Sequence, residues 1–160
     1  YNFEKLSSFL FTPEFVKKLV ENFPKNIVGV KDSSYNLFDK LKIKNFLIFP
    51  GTETKLLQGL ELGCAGTISA ITQVTHSLAR KVFDDFENKN KQTYNEKLIA
   101  VRKIFDQYNL ISALHSYFSL ENNNFEIILP PLVLLSTNDK KDLIKKLENL
   151  KFKINKNIAA

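Results

Sequence analysis

A lysine at the end of a short apolar run is the residue of this sequence best placed to do chemistry. Residues 27–30 contain no polar side chain, which predicts a strand buried on both faces, as in a parallel sheet covered by helices. Strand alternation puts Gly29 and Lys31 on the same face. Because Gly29 has no side chain, we expect free space beneath Lys31 and partial desolvation of its amine. Desolvation lowers the pKa of a lysine and makes it a nucleophile, whereas the plainer interpretation is a lysine that extends from the strand end into water.

The elements that must position this lysine repeat along the chain. Apolar runs begin near residues 27, 46 and 65, and a helix signal follows each of them. This repeat is typical of βα units with parallel strands, either in an open doubly wound sheet or in a (β/α)8 barrel. No Gly-x-Gly-x-x-Gly motif follows a strand, and the regular spacing favours the barrel. Three strands cannot close a barrel, so we expect the missing units to precede Tyr1.

Each predicted element has a start or stop signal of its own. Before residue 89 we predict the following series: a helix opened by Thr12-Pro13, a strand over 27–31, a helix over Leu37, Phe38 and Leu41, a strand over 46–49, a helix opened by Thr52 and ended by Gly63, a strand over 65–69, and a helix over 78–86. After residue 89 we predict only helices, near 94–108 and 110–118 and after Thr137. The division is therefore barrel units at 1–88, a helical region at 89–150, and a frayed tail at 151–160.

Composition excludes several classes of protein. Apolar residues make up 44% of the 160 and charged residues 25%, which is an ordinary balance for a soluble globular protein. No apolar run approaches the ~20 residues that a membrane span needs, so we expect no membrane partner. The single cysteine, Cys64, fits a reducing compartment and predicts a cytoplasmic location. The first residue is Tyr1, which suggests that the chain is a piece of a longer protein.

The net charge of +6 comes partly from lysines near the carboxyl terminus. They occupy the polar positions of one amphipathic helix and its tail: Lys140, Lys141, Lys145, Lys146, Lys151, Lys153 and Lys156. A solvated helix face explains this pattern better than nucleic-acid binding, which would need a basic stripe interleaved with aromatic or loop elements. His76 and His115 have no carboxylate at ligand spacing, so we predict no metal site.

The remaining candidates are the residues at the predicted strand ends. In a barrel these ends meet at one mouth, where Tyr1, Lys31, residues 51–54 and residues 68–69 would face one another. A phenol beside an amine suits Schiff-base chemistry, with the amine as nucleophile and the phenol as proton carrier. The plainer interpretation of Tyr1 alone is an ordinary terminal aromatic residue.

Four segments together resemble the dihydrodipicolinate synthase / N-acetylneuraminate lyase family of class I, pyruvate-handling aldolases. The segments are Tyr1-Asn2, Ile27-Val28-Gly29-Val30-Lys31-Asp32-Ser33-Ser34, Phe49-Pro50-Gly51-Thr52-Glu53 and Gly63-Cys64-Ala65-Gly66-Thr67-Ile68-Ser69. The resemblance extends from Tyr1 to about Leu150, in matching order and spacing. It implies an α/β fold, a (β/α)8 barrel of which only the second half is present here, followed by a helical appendage.

The resemblance also implies roles for single residues. Lys31 would form the Schiff base, and Tyr1 would move protons. Ser33 would contact the substrate through its hydroxyl. Gly51 and Glu53 would face the variable part of the substrate, and Ile68 would lie beside the bound 2-oxo acid. No cofactor is implied, and the assembly is expected to be a homotetramer.

The loop after Tyr1 departs from the family pattern. The family has a proline where Glu4 stands and a glycine where Ser8 stands. The synthases of the family carry an arginine in this loop, and Leu6, which cannot pair with a carboxylate, stands there. We therefore predict retro-aldol cleavage of a 2-oxo-3-deoxy sugar acid or a related acid. The alternatives are 4-hydroxy-tetrahydrodipicolinate synthase, which condenses pyruvate with aspartate semialdehyde, and a non-catalytic barrel that serves as a binding module. The isolated chain is expected to be inactive and poorly soluble.

Overall fold

Two parallel strands lie at the centre of the amino-terminal part of the chain. The computed structural model describes residues 1–153, and within them β1 (Gly29–Asp32) pairs with β2 (Leu47–Pro50). Val30 pairs with Ile48 and Lys31 pairs with Phe49. The pairing confirms that the first two predicted strands are parallel, although each strand begins later and ends one residue later than the sequence indicated.

Helices and two short 3-10 turns make up most of the remaining regular structure of residues 1–153. The α-helices are α1 (Glu4–Ser7), α2 (Pro13–Asn22), α3 (Leu56–Glu61), α4 (Thr72–Glu87), α5 (Asn95–Phe105), α6 (Leu110–Phe118) and α7 (Thr137–Asn149). The 3-10 turns are Glu53–Lys55 and Asn123–Glu126. No helix within the described residues is long and apolar enough to cross a membrane.

The start of α2 and the end of α3 follow the predicted signals. The Thr12 side chain accepts a hydrogen bond from the Phe15 N–H at 3.2 Å, and Pro13 takes the first helical position. Gly63, just past α3, has a φ of +88°, the left-handed conformation that suits glycine at a helix end. The last helix, predicted to follow Thr137, begins at Thr137 itself, and Ser136 caps it by accepting from the Asp139 N–H.

The sheet is packed on one face, not on both as predicted. Val30 and Ile48 are buried in a core with these residues: Val16, Leu37, Phe38, Leu41 and Cys64. Leu47 lies on the opposite face and is 49% exposed, because the core covers only the face that carries Val30 and Ile48. Val28, which directly precedes β1, is 58% exposed.

The helix predicted over residues 37–41 is wrong, because that segment forms turns. Both carboxylate oxygens of Asp32 are used by the chain that follows: Oδ1 accepts from the Tyr35 N–H, and Oδ2 accepts from the N–H groups of Leu37 and Phe38. Tyr35 has a φ of +58°, which takes the backbone out of the right-handed helical region. Asp32 therefore stabilises a compact turn in place of a helix.

The strand predicted over residues 65–69 is also wrong, although the segment follows β2. The Ala65 N–H donates to the Ile48 carbonyl at 2.9 Å, and the Ile68 N–H donates to the Pro50 carbonyl at 3.2 Å. Between these two bonds Gly66 has a φ of +148°, which interrupts the extended backbone that a strand ladder needs.

The described chain forms two compact units. The first contains Tyr1–Ser69 with Val82–Gln92, and the second contains Ala70–Lys81 with residues 93–153. In the second unit, α7 packs against α5 and α6. Phe152, which the sequence placed in a frayed tail, is buried there, and its N–H donates to the Leu147 carbonyl at 3.0 Å. Residues 154–160 of that predicted tail lie outside the described residues.

We expect the Cys64 thiol to react slowly with iodoacetamide in the native protein. Cys64 is 6% exposed, and burial raises the pKa of its thiol. A raised pKa lowers the thiolate fraction near pH 8, so the native rate should be at least about tenfold below the rate in guanidinium and should rise with pH. Mass-spectrometric labelling measures both rates. Equal rates in the native and denatured protein would contradict the buried position of Cys64.

Candidate active site

Tyr1 and Lys31 lie side by side at neighbouring chain segments. The Lys31 ammonium nitrogen lies 4.5 Å from the centroid of the Tyr1 ring. The backbone brings them together because Asn2 pairs in parallel with Asp32. The Asn2 N–H donates to the Lys31 carbonyl and the Ser33 N–H donates to the Asn2 carbonyl, both at 2.9 Å. Tyr1 and Lys31 are therefore adjacent in the structure, as the sequence predicted.

The space expected beneath Lys31 is absent, which corrects the prediction made from Gly29. A Cβ atom at Gly29 would lie 2.6 Å from the Leu47 carbonyl oxygen and 3.1 Å from the Leu47 Cβ. Glycine is therefore needed here because the backbone of β2 approaches closely. Lys31 is half-buried, beside the Tyr1 ring and opposite Phe49.

Ser33 and Gly51 face each other just beyond β1 and β2. The Gly51 N–H donates to the Asp32 carbonyl at 2.9 Å, which continues the strand register past Pro50. A Cβ at Gly51 would overlap the Ser33 hydroxyl oxygen and lie 2.9 Å from the Ser33 Cβ. The missing side chain at Gly51 thus makes room for the Ser33 hydroxyl.

Glu53 and Ile68 lie on the next two segments along the chain. Glu53 is fully buried, and its Oε2 accepts a hydrogen bond from the Ser69 hydroxyl at 2.7 Å. Ile68 is 45% exposed, and its N–H donates a hydrogen bond to the Pro50 carbonyl. Ser69 is a contact that sequence reasoning did not single out, although it directly follows Ile68 in the motif.

The loop after Tyr1 keeps a left-handed turn despite its departures from the family pattern. Ser8, at the position where the resemblance implies glycine, has a φ of +56° and ends helix α1. Such a conformation is favourable for glycine and costs a serine about 1 kcal/mol or more. Leu6 on α1 is exposed.

Two further polar residues, Asn2 and Asp32, were missed as members of the site. Both are fully buried, on the sheet face opposite Lys31. A sequence signal existed, since each directly follows one member of the pair Tyr1 and Lys31, and strand alternation puts such neighbours together on the other face. Within residues 1–153 no group of three His, Cys, Asp or Glu side chains is arranged to hold a metal ion.

The arrangement offers an amine, a phenol and an aliphatic hydroxyl at adjacent segment ends. Comparison with known proteins assigns the chain to a family, because the Dihydrodipicolinate synthetase family matches residues 1–150. The chain belongs to that family.

Two curated relatives carry different activities in their names. The 2-dehydro-3-deoxy-D-gluconate/2-dehydro-3-deoxy-phosphogluconate aldolase of Picrophilus torridus is 29% identical over 127 residues, which are 75% of this chain and 47% of that protein. The 4-hydroxy-tetrahydrodipicolinate synthase of Wigglesworthia glossinidia brevipalpis is 33% identical over 103 residues, 59% of this chain and 34% of that protein. The chain therefore spans half or less of the length of these relatives.

Solved structures support the fold. A prophage protein of the dihydrodipicolinic acid synthase family from E. coli, in complex with pyruvate, matches with a TM-score of 0.83 and 23% identity over 96% of this chain and 55% of that one. The dihydrodipicolinate synthase of Thermotoga maritima matches with a TM-score of 0.81 and 19% identity over 94% of this chain and 55% of that one. These neighbours are TIM barrels, so the fold is α/β and corresponds to part of a barrel.

We expect Gly51→Ala to destabilise the full-length protein by about 1–3 kcal/mol, because the new methyl group would overlap Ser33. Replacing Ser33 by glycine in the same protein should recover part of this loss, since two of the three closest atoms would be removed. Urea unfolding of the single and double variants measures the coupling.

Gly63→Ala is the matched control for this pair. A Cβ at Gly63 meets nothing within 4 Å, so its effect should come only from the positive φ and should be independent of Ser33. Additive effects of Gly51→Ala and Ser33→Gly would contradict the close approach of these residues.

Proposed function

We propose that this chain carries the Schiff-base site of a class I, pyruvate-dependent aldolase. The observation that carries the proposal is the position of the Lys31 ammonium nitrogen, 4.5 Å from the Tyr1 ring centroid, at the ends of two neighbouring segments. Membership in the family supports it, as does the aldolase activity named for the Picrophilus torridus relative.

In the first step, neutral Lys31 attacks the keto carbon of a 2-oxo acid. A carbon–nitrogen bond forms, the carbonyl oxygen leaves as water, and a protonated imine remains. Tyr1 would relay the protons that this dehydration needs, and the contact between its ring and the amine supports this role. The protonated imine is positively charged, so it can accept an electron pair from the neighbouring carbon.

In the second step, the bond between the carbons α and β to the imine breaks. Its electron pair moves toward the imine and gives an enamine, while the β-hydroxyl loses its proton to Tyr1 and becomes an aldehyde. The enamine then takes up a proton at the α carbon, and water hydrolyses the imine to release pyruvate and free Lys31. The same steps in reverse are a condensation, and none of them requires a cofactor.

The other predicted residues have proposed roles that follow from their surroundings. Ser33 is half-buried beside Gly51, where its hydroxyl would bond a substrate oxygen. Ile68, which is exposed, would pack beside the bound 2-oxo acid. Glu53 is buried and accepts from the Ser69 hydroxyl, so we propose that it fixes the Ser69 oxygen as a hydrogen-bond acceptor for the variable part of the substrate.

For the substrate we propose a 2-oxo-3-deoxy sugar acid or a related acid, cleaved in the retro-aldol direction. Leu6 is exposed on α1 and offers no charge for a second carboxylate. The name of the Picrophilus torridus relative agrees with this class. The second candidate is the condensation of pyruvate with aspartate semialdehyde, which the name of the Wigglesworthia relative favours.

Several properties of the whole protein remain proposals of the same kind. We propose that the chain supplies the second half of a (β/α)8 barrel, and that the complete protein is a cytoplasmic homotetramer without nucleic-acid or membrane partners. A non-catalytic barrel used as a binding module is the remaining alternative, and retention of both Tyr1 and Lys31 counts against it.

Borohydride reduction of the full-length protein in the presence of pyruvate tests the Schiff base. We expect a covalent adduct on Lys31, identified by peptide mass spectrometry, because borohydride reduces an imine to a stable amine. Lys31→Arg should abolish the adduct, since a guanidinium does not form the imine, whereas Lys42→Arg should leave it unchanged. An adduct on another lysine, or none, would refute the proposed site.

Catalytic efficiency on the two substrate classes tests the proposed reaction. We expect the full-length protein to cleave 2-dehydro-3-deoxy-gluconate with a kcat/KM at least about tenfold above that for condensation with aspartate semialdehyde. Leu6→Arg should shift this ratio toward condensation, whereas Leu6→Met should not. Efficient condensation without cleavage by the unmodified protein would show that Leu6 is a misleading indicator.

A further inference from the structure

The sheet that carries Tyr1 and Lys31 has a second polar pair on its other face. Tyr1 and Lys31 lie on the face opposite the core, whereas Asn2 and Asp32 are fully buried. Asn2 follows Tyr1 in the sequence, and Asp32 follows Lys31. Because the side chains of successive residues in an extended chain alternate between the two faces of a sheet, Asn2 and Asp32 lie on the face opposite Tyr1 and Lys31. We propose that Asn2 and Asp32 are positioning residues, which fix the Tyr1 phenol relative to the Lys31 amine by a buried hydrogen-bond network. This inference rests on the proposed function of Lys31.

The buried Asn2 side chain makes several hydrogen bonds within the protein. The Asn2 amide nitrogen donates to Asp32 Oδ1 at 2.8 Å and to Asn36 Oδ1 at 2.7 Å. The Asn2 amide oxygen accepts from the Phe11 N–H at 3.1 Å, and the Asn36 amide nitrogen donates to the Phe11 carbonyl at 2.8 Å. Every hydrogen-bonding atom of the Asn2 side chain is therefore used.

Asp32 fixes the opposite side of the network. Its two carboxylate oxygens accept four hydrogen bonds, one from Asn2 and three from the backbone N–H groups of Tyr35, Leu37 and Phe38. Replacing either oxygen by an NH₂ group would turn two acceptor contacts into donor–donor contacts. A buried network of this kind has one satisfied arrangement, which makes the position of its members specific.

The consequence for the site is geometric. Tyr1 is 56% exposed, so packing alone does not hold its ring. Its backbone is held through Asn2, whose N–H and carbonyl bond to Lys31 and Ser33 and whose side chain is held by Asp32 and Asn36. Loosening Asn2 should therefore move the phenol away from the amine, while Lys31 stays in β1.

A double-mutant cycle separates this role from a structural one. The readout is the rate at which pyruvate and borohydride modify Lys31 in the full-length protein. Asn2→Ser, whose hydroxyl is too short to reach all of these partners, should slow the reaction about tenfold. In a Tyr1→Phe background the same change should have less than about a twofold effect, because the phenol it positions is gone.

Two further variants keep the test decisive. Asn36→Ala removes one support of Asn2 and is the substitute if Asn2→Ser fails to fold; it should slow the reaction about threefold, again only when Tyr1 is present. Thr12→Ala lowers stability through loss of the α2 cap and should leave the rate unchanged in both backgrounds.

Three results would overturn the inference. An Asn2→Ser rate equal to that of the unmodified protein, or equal slowing with and without the Tyr1 hydroxyl, would refute positioning while leaving the Lys31 imine intact. Absence of any Lys31 adduct in the unmodified protein would refute the proposed function, and the inference with it.

Discussion

The carboxylate of Asp32 is the group on which the geometry of the site depends. It accepts four hydrogen bonds in a fully buried position, and so it joins the Tyr1-Asn2 segment, the end of β1 and the turn that follows β1. Burying a carboxylate is costly unless its oxygens are hydrogen-bonded, so this arrangement tolerates little displacement of its donors. A group that never touches the open face therefore determines where the residues on that face stand.

Close backbone approach is the second constraint. At Gly29 the chain meets the Leu47 carbonyl, and at Gly51 it meets the Ser33 side chain. Both contacts keep β1 and β2 in register up to and beyond their carboxyl ends, where Lys31 and Ser33 project. The two glycines thus contribute to the site through what they allow to come near, not through groups of their own.

Local signals in the sequence predicted much of this structure. Thr12-Pro13 opened a helix and Gly63 ended one, because these residues act through their own side chains and backbone angles. The nearness of Tyr1 and Lys31 was predicted from the barrel, in which the strand ends meet at one mouth.

Other features depend on groups distant in the sequence. The sequence does not distinguish a glycine that leaves empty space from one that lets a neighbouring backbone come close. Gly29 is of the second kind. Asp32 could cap a helix or a turn, and the left-handed Tyr35 decides for the turn. The buried pair behind Tyr1 and Lys31 was hidden because Asn2 and Asp32 have no chemistry at the open face.

A crystal structure of the full-length protein, reduced with borohydride in the presence of pyruvate, tests the central claim most directly. We expect continuous density from the Lys31 amine to the former keto carbon, with the Tyr1 hydroxyl within hydrogen-bond reach of about 3 Å of the bound group. We also expect Asn2 still to donate to Asp32 behind them. An unmodified Lys31 with pyruvate bound elsewhere, or a modified Lys31 with the Tyr1 ring turned away, would contradict the proposed site.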